Sequence, residues 1–302
     1  DVATLEDCDV EDGAVIYITE YTLLPERSEG QSMCRIEQTE RRGISLRQLR
    51  TLIKFMRRHL NLHSKTLGWF DTHGGDHAGL QTSTINLYNV NEWVIKPATR
   101  PHCSSLVEFI CTSEEAQVPS WFISHFWGEP ICQFVNCVAE HVRVRKLSAS
   151  AAYWVCAYSN NQHDLRGEIS SDPRGTSFFR ALMICRGVLV ILDEEATPFR
   201  RIWCCFEAYI ALSSQGRSEP LLLDIATTSE GGSKPTASII SDGPAEVDSY
   251  MTQHEGSWRR KMQRESKFPV ELVLERGLEV SIEAAQASRI QDKARILNCI
   301  AG

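Results

Sequence analysis

The chain has 302 residues, 42% of them hydrophobic, and carries 32 Lys+Arg against 39 Asp+Glu, a net charge of −7. That length and apolar content supply a full core for one large domain or two ordinary ones, and the acidic balance argues against the broad basic surface that nucleic-acid binding needs. No apolar run reaches the roughly 18 residues of a membrane span, so neither nucleic acid nor membrane is an expected partner.

Residues 1–116 read as an α+β extension packed on the rest, because no Ser/Gly-rich tether separates the two parts. The acidic start DVATLEDCDVEDG is unlike the basic targeting peptides. A strand is expected at Ala14–Tyr21. Over Ser45–Leu60 the spacing of Leu46, Leu49, Ile53, Met56 and Leu60 predicts an amphipathic helix, opened by the capping-box pattern S-x-x-Q. Its Arg47, Arg50, Lys54, Arg57 and Arg58 read as a solvated face. The Gly-rich loop that follows places His73, Asp76 and His77 near His63, atoms able to ligate a metal, but two histidines flanking Gly-Gly in a loop read as exposed and no metal site is assigned. Residues 85–110, rich in Asn, Pro and aromatics, suit an ordered loop clamped onto a neighbouring surface.

From Val118 strands and helices alternate, which predicts an α/β domain over 117–302. Strands are expected at Ser120–His125, Ala152–Tyr158, Val188–Leu192 and Pro220–Ile225, and strands this apolar on both faces imply a parallel sheet with helices on both sides. The Ser-, Gly- and Pro-rich stretch near 227–248 reads as a flexible loop. A strand at Val270–Leu274 or Leu278–Ile282, and a closing helix with Ala287, Ile290, Ala294 and Leu297 on one face, end the chain. Most of the 11 cysteines lie inside apolar runs, as reduced core residues of a cytoplasmic protein do.

One residue stands out within IWCCFEAYIAL (Ile202–Leu212): Glu207, a lone carboxylate among uncharged neighbours. An ionised acid buried without a partner costs several kcal/mol, so this side chain needs a partner, a raised pKa or a cavity. On a helix Trp203 and Glu207 share one flank. Pairing with Arg200 or Arg201 would make the acid structural. In a flavodoxin-like sheet of order 2-1-3-4-5, the loops after the first and third strands share a crevice. There Ser124, His125, Trp127, Glu129, Asp193, Arg200, Arg201 and Glu207 would converge, with Asn160, Asn161, His163 and Arg166 on a loop closing over them. Such a crevice offers aromatic walls for a base or nicotinamide ring, arginines for phosphate and a carboxylate for a ribose. The chain has no G-x-G-x-x-G, Walker A or G-x-S-x-G motif, which disfavours the usual hydride-transfer, phosphoryl-transfer and serine-hydrolase routes. A helix beginning at Thr197-Pro198 would place Glu207 about 15 Å along it, beyond the crevice mouth, whereas a start near Arg201 keeps it there.

Trp203-Cys204-x-x-Glu207 resembles the W-C-x-x-E motif of TIR domains, WFISHFWGE (Trp121–Glu129) resembles their first strand and following box, and Leu165-Arg166-Gly167-Glu168-Ile169 resembles their second connecting loop. The three occur in the family's order, over about residues 118–226, and NLYNVNEWVIKPAT, SHFWGEP and RIWCCFE are similar to segments of TIR-like proteins of protists. The resemblance implies a flavodoxin-like fold, self-association into homo-oligomers and, in enzymatic members, cleavage of the nicotinamide–ribose bond of NAD with Glu207 as the essential acid. NAD would then be substrate, with no cofactor, Trp203 or Trp127 stacking on the departing ring and Arg200 or Arg201 gripping phosphate. Two other readings stand beside it: a non-enzymatic TIR-like module signalling by self-association, and another nucleoside or nucleotide glycosyl-transfer enzyme.

Overall fold

The most apolar stretches of the chain become the inner strands of one six-stranded mixed sheet in the computed structural model, which describes residues 34–62, 69–73, 79–165, 172–213, 221–229, 235–241, 281–287 and 289–301. All of these fall in the unit Ser32–Gly302. The strands are β1 (Gly43–Ser45), β2 (Pro119–Ser124), β3 (Ala152–Trp154), β4 (Gly187–Leu192), β5 (Leu222–Ser229) and β6 (Thr236–Ser241), in the order β1-β3-β2-β4-β5-β6. The inner four, β3-β2-β4-β5, are parallel. Every residue of β4 is buried, as in a sheet covered on both faces.

The edges depart from the expected all-parallel order 2-1-3-4-5. β1 pairs antiparallel with β3, and β6 pairs antiparallel with β5. On the first edge Gly43 lies so close to Gln117 O and Ala152 Cβ that a side chain there would meet them at 2.7 and 2.9 Å. This three-residue strand builds part of the segment 1–116 into the sheet itself. On the second edge the expected loop near 227–248 is partly a β-hairpin, since Thr227 and Thr228 continue β5 and TASIIS forms β6 with Ile239 and Ile240 about 1% exposed. Two β-branched stretches around Gly231-Gly232 are a hairpin signal that the Ser/Gly/Pro composition hides. The strands expected at Ala14–Tyr21 and Val270–Leu274 lie outside the described residues. So does Leu278–Ile282, apart from a turn beginning at Ser281.

Five longer helices cover the sheet: α1 (Leu46–Leu62), α2 (Ile131–Val144), α3 (Ser177–Ile184), α4 (Ile202–Leu212) and α5 (Ile290–Ala301). Helix α1 starts with the expected capping box, Ser45 N donating to Gln48 Oε1 at 2.9 Å and Gln48 N to Ser45 Oγ at 3.3 Å. Leu46, Leu49, Leu52, Ile53 and Met56 are buried, whereas its five cations are all exposed. Helix α2 packs against β5, β6 and α1, while α3 and α4 pack on β2 and α5 on α4. The expected face of α5 is buried in part: Leu297 packs on the core, as does Ala287 just before the helix. Ile290 is 80% exposed and Ala294 is exposed; Asp292 and Ile296 turn inward because Asp292 accepts the indole N–H of Trp203 at 3.3 Å.

The amino-terminal half of the sheet is locked by a buried polar network. His141 on α2 hydrogen-bonds the Tyr153 hydroxyl through Nδ1 and Asp224 Oδ2 through Nε2, both at 2.8 Å. Arg145 donates to both oxygens of Asp224 at 2.7 and 2.5 Å and lies over the Trp121 ring. Burial alone would raise the Asp224 pKa, but the bonds from His141 and Arg145 outweigh it and hold it low. Burial lowers His141, so the imidazole stays neutral. No helix among the described residues is long and apolar enough to cross a membrane.

Candidate functional site

Strands β3 and β4 lie on opposite sides of β2, so the connections leaving β2 and β4 run in opposite directions, the arrangement that in open α/β sheets puts a ligand crevice at the carboxyl ends of these two strands. Two loops border it, 125–130 after β2 and 193–201 after β4. Within the second, Asp193 accepts from Thr197 N at 2.6 Å and from Thr197 Oγ1 at 2.5 Å, and Thr197–Arg200 makes a single 3₁₀ turn. Arg201 is then extended and Ile202 N donates to Gln286 O, so α4 begins at Ile202 and not at Thr197. Glu207 is therefore about 8 Å along its helix, near the crevice.

Glu207 is 4% exposed on a helix with no Lys or Arg of its own. Burial raises its pKa to about 8, against the opposing pull of the Ser124 hydroxyl beside it and of the Arg201 charge acting through space. The hydroxyl lies off the geometry of a full hydrogen bond, since Ser124 Oγ has no partner. Near neutral pH the Glu207 carboxyl is thus largely protonated and is not locked in a salt bridge with Arg200 or Arg201. Two thiols border it: Cys204, buried, with its Sγ 3.8 Å from His125 O, and Cys156, pushed up to about 12 chiefly by burial. Both are raised further by Glu207's charge, and neither is a reactive thiolate.

Around the same strand end His125 and Glu129 are also buried without partners. Neither ring nitrogen of His125 and neither oxygen of Glu129 has a hydrogen bond. Burial drops His125 to about 4, and burial with the neighbouring Asp193 charge raises Glu129 well above the carboxylate range. Of the ten buried, unpartnered side-chain polar atoms among the described residues, five belong to Ser124, His125 and Glu129. Each orphan costs on the order of 1–3 kcal/mol, so this concentration in six residues calls for a reason beyond packing.

The remaining expected residues are placed as follows. Trp127 donates its indole N–H to Cys156 Sγ at 3.2 Å, which sets the ring beside a thiol that feels the Glu207 charge. Its loop is strapped from outside: Leu87 N donates to Trp127 O, Ile131 N donates to Ile85 O, both at 2.9 Å, and Tyr88 rests on Phe126 and Trp127. Arg201 lies over the Phe126 ring at 5.4 Å, and a side chain at Gly128 would collide with that ring. Trp203 shares the Glu207 flank but is engaged by Phe178, Phe206 and Asp292. The Arg200 side chain is exposed. Asn160 accepts from Ser177 Oγ at 3.0 Å, Asn161 donates to Cys103 O at 2.7 Å and His163 bonds Thr99 Oγ1 at 2.9 Å, so that loop is tied mainly to the segment 99–103. Arg166, with His63, Asp76 and His77, lies outside the described residues, among which no group of three or more ligating side chains can hold a metal. Tyr88, Phe126 and Cys156 were not marked by sequence; the aromatic-rich composition of 85–110 was the only signal for Tyr88. No family model, no curated protein and no solved structure matches this chain, so the site is read from its own geometry.

Proposed function

We propose that the chain binds a pyridinium nucleotide of the NAD kind at the carboxyl ends of β2 and β4 and cleaves its N-glycosidic bond, with Glu207 as the essential acid. One observation carries the reading: a buried carboxyl on an uncharged helix at the crevice, with no ion pair and a pKa raised to about 8. The inner order β3-β2-β4-β5 supports reading the parallel core as flavodoxin-like, of the TIR-like kind.

A cationic pyridinium brought beside Glu207 favours the ionised carboxyl, so substrate binding itself would drive off the proton. The C1′–N bond then breaks, its electron pair neutralises the ring nitrogen, and the positive charge developing on the ribose is met by the carboxylate. Water adds to C1′ and gives up a proton. Glu207 is 4% exposed, so a ligand reaches it only when the side chains around it move. Arg201, the cation whose charge acts on Glu207 among the described residues, would hold a phosphate.

The test is NAD consumption with nicotinamide release by the purified protein, comparing wild type with Glu207→Ala. A loss of at least about 1000-fold is expected, together with a kcat/KM that rises with pH to a plateau above about 8. A kcat/KM that instead falls through that range, with free base released from neutral nucleosides, would favour a glycosyl-transfer enzyme in which Glu207 protonates the leaving group. Burial of Glu207 favours a second reading, a TIR-like module acting in the cytoplasm by self-association. Equal inertness of both proteins at high concentration would select it.

A further inference from the structure

Helix α1 packs on α2 and carries Arg47, Arg50, Lys54, Arg57 and Arg58, all exposed. At 100° and 1.5 Å per residue they fill an arc of about 100° over about 16 Å. The chain has no Asp or Glu between Glu40 and Asp71, although its net charge is −7. Arg41 and Arg42, just before the helix, are paired with Glu114 and Glu108. The five on the helix have no ion pair among the described residues; there, Arg57 Nη2 donates to Cys132 Sγ at 3.9 Å.

This spacing works against the helix. Arg47–Arg50, Arg50–Lys54, Lys54–Arg57 and Lys54–Arg58 are like-charge neighbours at i,i+3 or i,i+4, where a glutamate in place of either partner would turn repulsion into attraction. Solubility needs only mixed charges, so solvation alone leaves the single sign unexplained. A surface of negative charge would relieve every one of these repulsions at once.

We propose that this face of α1 docks the protein, peripherally and by charge alone, on an anionic lipid surface. Four of the five cations are arginines, whose planar guanidinium matches phosphate oxygens in pairs. The five form a patch on one side of a convex helix, which suits a flat array of headgroups. The apolar side of α1 is buried in the protein, so nothing on it inserts among acyl chains. The basic arc holds no aromatic side chain, which leaves single-stranded nucleic acid without a stacking platform. Groove-reading helices present their amino-terminal residues to the bases; here that end is built into the sheet through β1 and the 3.1 Å bond from Arg47 N to Ala149 O.

The test is co-sedimentation of the full chain with vesicles of phosphatidylcholine alone, or with about a third of the lipid replaced by phosphatidylserine, at low and at physiological salt. Binding is expected to the anionic vesicles only, weakening as salt rises. The double variant Arg50→Glu, Arg57→Glu should lower the partition coefficient by at least about 100-fold, with a Tm no lower than wild type because repulsive pairs become attractive ones. Equal binding of wild type and variant, equal binding to neutral vesicles, or binding to duplex DNA without binding to anionic vesicles would overturn the proposal.

Discussion

The two ends of the sheet treat buried polar groups in opposite ways. At the amino-terminal half, Tyr153, His141, Asp224 and Arg145 form an unbroken chain of hydrogen bonds between 2.5 and 2.8 Å. At the carboxyl end, Ser124, His125 and Glu129 have no partners and Glu207 is left protonated by burial. A satisfied network contributes to holding a fold, whereas unsatisfied groups in equal burial weaken it. The contrast separates polar groups that bond one another across the sheet from polar groups that burial leaves unsatisfied.

The sharpest way to break that contrast is to cut the network. Asp224→Ala removes the carboxylate that both His141 and Arg145 bond in the buried network and should cost about 3–5 kcal/mol in denaturant unfolding. A loss below about 1 kcal/mol would mean that the network is not what locks the sheet. The next effect lies in pH. The folded chain keeps the Glu207 proton up to about 8, while the unfolded chain releases it near 4.5, so the folded state binds more protons between those values and loses stability as pH rises through them. His125 works in the other sense, its contribution lost as pH falls from 6.5 toward about 4. Above pH 6.5 the raised Glu129 carboxyl acts in the same sense as Glu207, so the Glu207 share is read as a difference, wild type losing about 2 kcal/mol more than Glu207→Gln by pH 8. The smallest effect is expected where no hydrogen bond exists to be lost. Ser124→Ala and Glu129→Leu should be neutral or stabilising by about 1 kcal/mol, a sign opposite to Asp224→Ala. Large destabilisation by either would show that these groups have structural partners after all.

Much of the carboxyl-end site was legible because its cause is local. A lone acid in an eleven-residue apolar helix, a strand running into Phe126-Trp127-Gly128 and a second strand ending at Asp193 are all visible in the spacing of residue types. The capping box at Ser45 was read the same way. What escaped depends on distant partners. The inward face of α5 is set by Asp292 meeting Trp203, against the apolar spacing of Ile290 and Ala294. Trp203 itself, on the correct flank, is drawn to Phe178 rather than left facing a ligand. β1 is three residues long, too short for any periodicity, and exists because Gly43 permits close approach to Gln117 and Ala152. The start of α4 turned on the extended backbone of Arg201, held by pairing with Gln286 some 85 positions later.

In the proposed reaction Glu207 holds its proton in the free protein and yields it to a cationic ligand. The direct measurement is an NMR titration of carboxyl-¹³C-glutamate-labelled protein, with Glu207→Gln identifying the resonance, in the absence and presence of a non-hydrolysable pyridinium nucleotide. A free pKa near 8 that falls on adding the nucleotide is the result predicted. A Glu207 that titrates near 4.5, or that keeps the same pKa with saturating nucleotide, would contradict the account.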